Sequence, residues 1–228
     1  MAGTTLGFAG FPRQGLDLLA ELPTFDRQRF QATKARYDAT VADPAKAFVA
    51  ALVPTLVERV SPGVVGVPKV NGSIAPITND RRFAPDKAPY KDHLLFRCWE
   101  GADKKLAPTL FVRLAPDGVG FASGAALPSL DRWRALVDDD TTGRALAAAI
   151  DEVVAATGAE VVGADLKRVP APFGAEHPRA DLLRHKGLQV RWVEPVPPSV
   201  TSARFVAWCA RRLEMAAPLH RWLVGHLG

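Results

Sequence analysis

The residues most suited to chemistry lie in one short run between positions 81 and 93. This run combines four basic side chains with two carboxylates, a tyrosine and a histidine. Arg82, Lys87 and Lys91 are suited to phosphate or carboxylate, because arginine offers a bidentate fork and lysine a point charge. Tyr90 can add a hydroxyl group or a stacking ring. The run therefore predicts an anion site.

The same run differs from an ordinary connecting loop. Its two prolines break regular structure and pre-organise the backbone, which lowers the entropic cost of binding and of folding alike. Phe83 and Tyr90 are expected to anchor the loop in the core. A second interpretation is that Asp86 pairs with Arg82 or Lys91, so that the charges only pin the loop to the fold.

A second basic cluster lies between positions 167 and 186. It adds Lys167, Arg168 and Arg184 as candidate anion ligands. The first cluster has four basic and two acidic residues and the second has five and two, so together they account for the formal net charge of +5. Localised charge favours a local anionic partner. We therefore expect both clusters to converge on one basic cleft that binds a phosphate-bearing small molecule or a nucleic-acid backbone.

Acid–base groups in these segments support an enzymatic alternative. Asp86, Tyr90, His93 and His177 are candidates for proton transfer to an anionic substrate that the basic groups would hold. A third hypothesis treats the charged motifs as a structural ion-pair network in an interaction module. The chain has no P-loop, dinucleotide-binding, zincin or nucleophile-elbow motif.

The spacing of two histidines raises the question of a metal site. His177, Asp181 and His185 are four residues apart, on a helix that is predicted to start at His177-Pro178 and end at Gly187. Eight residues of helix rise about 12 Å, which is too far for both histidines to hold one ion. We therefore expect no metal and no cofactor.

The composition narrows the class of protein. Hydrophobic residues make up 48% of the chain and charged residues 23%, as is usual for globular proteins. Cys98 and Cys209 lie in apolar contexts, which predicts buried free thiols and a reducing compartment. No signal-peptide pattern is seen, and the strongest apolar run, 48–57, is about half a membrane span in length. These features predict a cytoplasmic protein with no membrane partner.

The elements that must position these residues predict an α+β fold. The sequence pattern predicts helices over 14–60, a β meander over 63–127, and mixed helices and strands over 129–227. The pattern predicts an antiparallel or mixed sheet of about five to seven strands, packed with N-terminal, middle and C-terminal helices. We expect a single domain over residues 1–228.

Several local signals within these elements are specific enough to test. Asn71-Gly72, between two short β-prone runs, predicts a tight hairpin. Apolar residues alternate with Phe111 and Arg113 over 110–114, which predicts a central strand covered on both faces. Gly158 is expected to end a helix. Three further glycines are expected to serve strand turns: Gly118, Gly120 and Gly124.

The two basic clusters also carry a resemblance to a known family. The run 79–93, Asn-Asp-Arg-Arg-Phe-Ala-Pro-Asp-Lys-Ala-Pro-Tyr-Lys-Asp-His, and the block 166–188 resemble the bacterial and fungal family called domain of unknown function 2461. Its N-terminal signature is matched by Arg27, Phe30, Lys34, Tyr37 and Pro44. The chain departs from the family pattern at Asn79, where arginine is usual, and at Ala84, where serine is usual. The resemblance covers nearly the whole chain and supports one domain, but it implies no known activity.

Overall fold

The computed structural model describes residues 7–228 except Phe83 and Pro85. Its helices are α1 Arg13–Glu21, α2 Arg27–Tyr37, α3 Asp43–Arg59, α4 Leu130–Asp138, α5 Asp140–Thr157, α6 Ala180–Leu183, α7 Arg204–Met215 and α8 Ala217–Leu227. Its strands are β1 Leu94–Trp99, β2 Thr109–Ala115, β3 Gly118–Ala126, β4 Glu160–Val162 and β5 Gly187–Glu194. The predicted α+β class is confirmed.

The five strands of the described chain form one antiparallel sheet in the order β1-β2-β3-β5-β4. The first three strands follow the chain as a meander. The last strand, β5, instead returns between β3 and β4, so β1 and β4 form the two edges. This topology separates the segment before β1 from the segment between β4 and β5.

One face of the sheet carries the hydrophobic core. Leu110, Val112 and Leu114 of β2 are buried on this face, as their alternation predicts. Helices α1, α3, α5, α7 and α8 each contact a strand. The buried hydrophobic residues of these helices and strands form one cluster.

The longest helical stretch runs from Arg27 to Arg59, because a π-helical turn over Asp38–Ala42 joins α2 to α3. By length and composition this stretch could cross a membrane, because an 18-residue window within it has a mean hydropathy of 1.3. Its apolar side chains Phe48, Leu52 and Leu56 are buried in the core. Since the core helix of a globular protein meets the same criteria, this is weak evidence for a membrane span.

Two predicted elements are wrong in detail. The predicted hairpin around Asn71 does not form. That segment instead makes isolated bridges, Val65 with Trp99 and Ile74 with Phe96, along the edge of β1. The helix predicted to end at Gly187 is the single turn α6, Ala180–Leu183. Prolines explain the first difference, because they remove donors that a regular ladder needs.

Both cysteines are buried free thiols, as the sequence predicts. Burial raises the pKa of Cys98 to about 12. Burial also raises the pKa of Cys209 well above its usual value. Because the thiolate is the reactive form, these groups are unreactive in the folded protein.

Two buried histidines predict that acid destabilises the fold. His220 and His185 are almost fully buried, and burial lowers the pKa of each below the ordinary value of 6.5. The unfolded chain then binds more protons than the folded chain just below that value, so stability is lost as the pH falls through this window. Each histidine contributes at most about 1.4 kcal/mol per pH unit.

Urea unfolding at about pH 7.5 and about pH 5.5 tests this expectation. The midpoint should be lower at the acidic pH, and the difference should shrink in a His220→Gln, His185→Gln double variant. Equal midpoints for the natural chain at the two pH values would rule out the effect.

Candidate functional site

The run 81–93 is held to the fold at its base by backbone and aromatic contacts. Tyr90 is buried and stacks on Phe30, with ring centroids 4.4 Å apart. The Lys91 ammonium donates to the carbonyl of Pro76. Burial, and then the neighbouring charge of Lys87, lower the pKa of Lys91. Tyr90 is therefore an anchor, as expected, and its ring is already stacked.

The exposed charges of this run are arranged differently from the ion pair that the sequence suggested. Arg82 pairs with Asp80 at 2.6 Å, and this hydrogen bond lowers the pKa of Asp80. Asp86 and Lys87 are exposed. Among the described residues, Asp86 pairs with neither Arg82 nor Lys91, so the pinning interpretation is wrong in that form. Phe83, the other expected anchor, lies outside the described residues.

His93 lies beside a carboxylate at the end of the run. Its Nδ1 is 2.7 Å from Oδ1 of Asp92, and this hydrogen bond is the main cause of the lowered pKa of Asp92. Arg113 of β2 is 3.9 Å from the same carboxylate. The run therefore ends at the sheet, next to an arginine.

The second cluster lines a separate cavity of about 660 Å³ through His177, Arg184 and His185. Arg184 pairs with Asp181 at 2.7 Å. The Nε2 atom of His177 is 3.2 Å from Asp138. Lys167 and Arg168 are exposed. Their charge is displayed to solvent, so they do not close this cavity.

The two clusters lie at opposite corners of the sheet. The first enters β1 at Leu94, which is level with Glu194 at the end of β5. The second enters β5 at Gly187. Leu94 and Gly187 are three strands apart across the sheet and seven residues apart along it, or roughly 25 Å. The expected common cleft is therefore not formed, and His93 does not share a site with His177.

The second cluster also contains a structural residue that the sequence analysis missed. Arg179 is buried and caps the end of α4, donating from Nε to the carbonyl of Val137 at 2.5 Å and from its terminal nitrogen to that of Asp138 at 2.8 Å. It also contacts Asp140 at 3.5 Å. Its charge belongs to the fold, and no local pattern distinguishes it from its exposed neighbours.

A different basic surface lies on the sheet face opposite the core. The strand register places one residue from each strand in a row across this face. In the order of the strands, this middle row is Arg97, Phe111, Ala122, Arg191 and Glu160. Directly paired residues share a face, so two arginines flank a phenylalanine and an alanine.

Two cavities adjoin on this face. One, of about 340 Å³, is lined by Arg97, Lys104, Lys105 and Thr109 among others. The other, of about 660 Å³, includes Arg113, Gly120, Ala122 and Arg191. Phe111 and Gln189 line both, so the two cavities are adjacent, and we call them together the sheet groove. The prediction that β2 is covered on both faces is therefore wrong.

Arg97 is the most informative residue of the sheet groove. Its side chain makes no hydrogen bond or ion pair with any described residue, although its Nε atom is buried. A buried donor without a partner costs about 1–3 kcal/mol. Six other buried side-chain polar atoms also lack a partner among the described residues, including the Arg184 Nε, and each such group calls for an explanation. The terminal nitrogens of Arg97 also have no partner among the described residues, and an anion bound in the groove would supply them with one.

Other cations of the sheet groove are partly balanced within the protein. Arg191 pairs with Glu160 at 3.1 Å, and Arg113 pairs with Asp117 at 2.9 Å. Lys105 is exposed and forms no ion pair with a described residue. The unbalanced positive charge is thus concentrated in the cavity that holds Arg97 and Lys105.

Small residues of β3 form the floor of the sheet groove. Three of the glycines in this strand were predicted to serve strand turns. Gly118 does lie at a turn, with φ of 155°, but Gly120 and Gly124 lie inside β3. A Cβ on Gly124 would be 2.3 Å from the Leu188 carbonyl oxygen, so only glycine fits there. A Cβ on Gly120 would be no closer than 3.4 Å to Arg113, so a side chain there would enter the groove.

The comparisons with known proteins identify a family. No curated protein and no solved structure matches the chain. The family model described as conserved hypothetical protein (DUF2461) matches residues 16–222. This range includes both basic clusters and every strand of the sheet groove. Because the match covers most of the chain, the protein belongs to the domain of unknown function 2461 family.

Proposed function

We propose that this protein binds a phosphate-bearing ligand in the sheet groove. The observation that supports the proposal is Arg97, a half-buried arginine whose Nε is buried without a partner among the described residues. Lys104 and Lys105 line the same cavity. An arginine fork with nearby ammonium groups suits the oxygens of a phosphate.

The neutral groups of this cavity complement the cations. Gln189 offers amide donors, and Phe111 offers an apolar ring at the junction of the two cavities. Small-molecule sites commonly combine an apolar lining with a few polar groups that orient the ligand. The anion would therefore sit beside Arg97, and the rest of the ligand would extend towards Phe111.

Binding of pyrophosphate and of a nucleoside monophosphate, measured by titration calorimetry at roughly 50 mM salt, tests the proposal. We expect Arg97→Gln to weaken binding by roughly 10- to 100-fold, because charge-assisted hydrogen bonds are lost. Arg144→Gln is the matched control. Arg144 is an exposed arginine of α5 whose side chain, among the described residues, has polar contacts only with Asp140, at 3.6 Å from its carboxylate and 2.7 Å from its carbonyl. The charge change is therefore the same.

Two results would contradict the proposal. One is that neither probe binds at low salt, where phosphate contacts are strongest. The other is that Arg97→Gln and Arg144→Gln weaken binding equally, which would indicate a general effect of net charge. Unfolding curves of both variants show whether either change disturbs the fold.

A further inference from the structure

The sheet groove is longer than a single phosphate group requires. The residues of β3 that face outward are Gly120, Ala122, Gly124 and Ala126, as their pairing with β2 and β5 shows. This floor extends over seven residues, from Gly120 to Ala126, a rise of roughly 20 Å. The flanking strands β2 and β5 are two strand spacings apart, roughly 10 Å. Side chains of these two strands line the cavities on either side of the floor, namely Phe111 and Arg113 of β2 and Gln189 and Arg191 of β5. The depression is therefore elongated along β3, and extended chains fit such a shape.

Cations occur along the whole length of the sheet groove. Arg97 and Arg191 lie level with the middle of the floor, on opposite sides of it, Lys105 lines the cavity at one end, and Arg113 lies two residues towards the other end. An extended polyanion would place successive charges near these groups. A compact anion would use only one end.

Phe111 lies at the centre of this charged arrangement. It is half-buried, it lines both cavities, and it neighbours Arg97 and Ala122 in the middle row. An aromatic ring between cations provides a stacking surface for a base while the cations hold the backbone. An acidic peptide would use the same cations and would gain little from a central ring.

We propose that the sheet groove binds single-stranded nucleic acid, with phosphates at Arg97, Arg113 and Arg191 and a base stacked on Phe111. The inference rests on the proposed function, since it assumes that the groove takes phosphate groups. A floor one strand wide with side chains on both sides admits one extended chain and is too narrow for a duplex to reach. Recognition would be tolerant of sequence, because every base has a stacking face.

The test is fluorescence anisotropy with labelled oligouridylates of two to about ten nucleotides, and with a duplex of the same length. We expect affinity to rise with length until the roughly 20 Å floor is filled, and then to level off. The duplex should bind much more weakly. Arg97→Gln should lower the slope of log affinity against log salt by about 1.

Substitutions at Phe111 and Gly120 separate stacking from charge. Phe111→Ala should weaken oligonucleotide binding by roughly 5- to 100-fold, and Phe111→Tyr should restore it. Gly120→Val should weaken it as well, because its side chain would fill the floor without a backbone clash. Because valine favours β-strands, Gly120→Val is expected to fold. It therefore tests the groove even if Phe111→Ala does not fold.

The outcomes distinguish this inference from the proposed function. If pyrophosphate binding depends on Arg97 but affinity for oligonucleotides does not rise with length, the inference is wrong and the proposed function stands. If an acidic peptide competes as well as the oligonucleotide, or if Phe111→Ala binds normally, the groove recognises charge alone and the inference also fails. If no phosphate probe binds, both proposals fail together.

Discussion

Replacing Phe48 with alanine is expected to lower the free energy of unfolding by about 3–5 kcal/mol. Phe48 is fully buried on α3, where α3 contacts β1 and α7. Its ring centroid lies 4.9–5.7 Å from those of four other rings, Phe8, Phe11, Phe96 and Phe205. These rings come from several elements, so they cannot all move inward to fill the cavity that the substitution leaves.

Urea unfolding followed by circular dichroism measures this loss. Val57→Ala is the control, because Val57 lies on the same helix with 36% of its surface exposed, and it should lose less than about 1 kcal/mol. A loss below about 1.5 kcal/mol for Phe48→Ala would show that the site can collapse, contrary to the close packing described.

Replacing Arg179 with alanine is expected to destabilise the protein by about 2–4 kcal/mol, as buried acceptors lose their donors. The guanidinium bonds the carbonyls of Val137 and Asp138 at the end of α4. Space for it depends on Gly143, where a Cβ would lie 2.7 Å from the Arg179 Nε and 2.1 Å from the Val137 oxygen. Arg179 thus joins the segment after β4 to the junction of α4 and α5.

Two further variants test this assignment. Arg144→Ala removes an exposed pair on α5 and should cost less than about 1 kcal/mol. Arg179→Lys retains the charge but cannot supply the two-pronged donor, so it should remain clearly destabilised. If Arg179→Ala is as stable as Arg144→Ala, or if Arg179→Lys restores full stability, the capping role is wrong.

Local signals predicted the elements of the fold well. The alternation over 110–114 identified β2, although not that only one of its faces is covered. Gly158 ends α5 with φ of 68°, in the left-handed region that favours glycine. Errors occurred where a local signal competed with neighbours. Asn71 does turn the chain, with φ of 61°, but its flanks make a single parallel bridge with each other, Val70 with Ile74, and otherwise bridge to β1.

The candidate site could be predicted far less well. The two clusters were predicted as a site because together they account for the formal net charge. Part of that charge is not available to a ligand, because Arg179 is buried and Arg82 is paired with Asp80. Arg97 gave no signal, since it is one basic residue in an apolar strand. Arg97 is significant because its side chain has no hydrogen-bond or ion-pair partner among the described residues. Such partners depend on tertiary contacts, which the local sequence does not reveal.

The sequence by itself determined most helices, most strands and the family, because periodicity and motif are properties of neighbouring residues. The tertiary structure alone decided that the two basic clusters lie apart and that Arg97, Phe111 and Arg191 share one row. That row depends on β5 entering the sheet between β3 and β4. Pairing between distant segments leaves no local pattern, so the surface it creates becomes visible only when the strands are assembled.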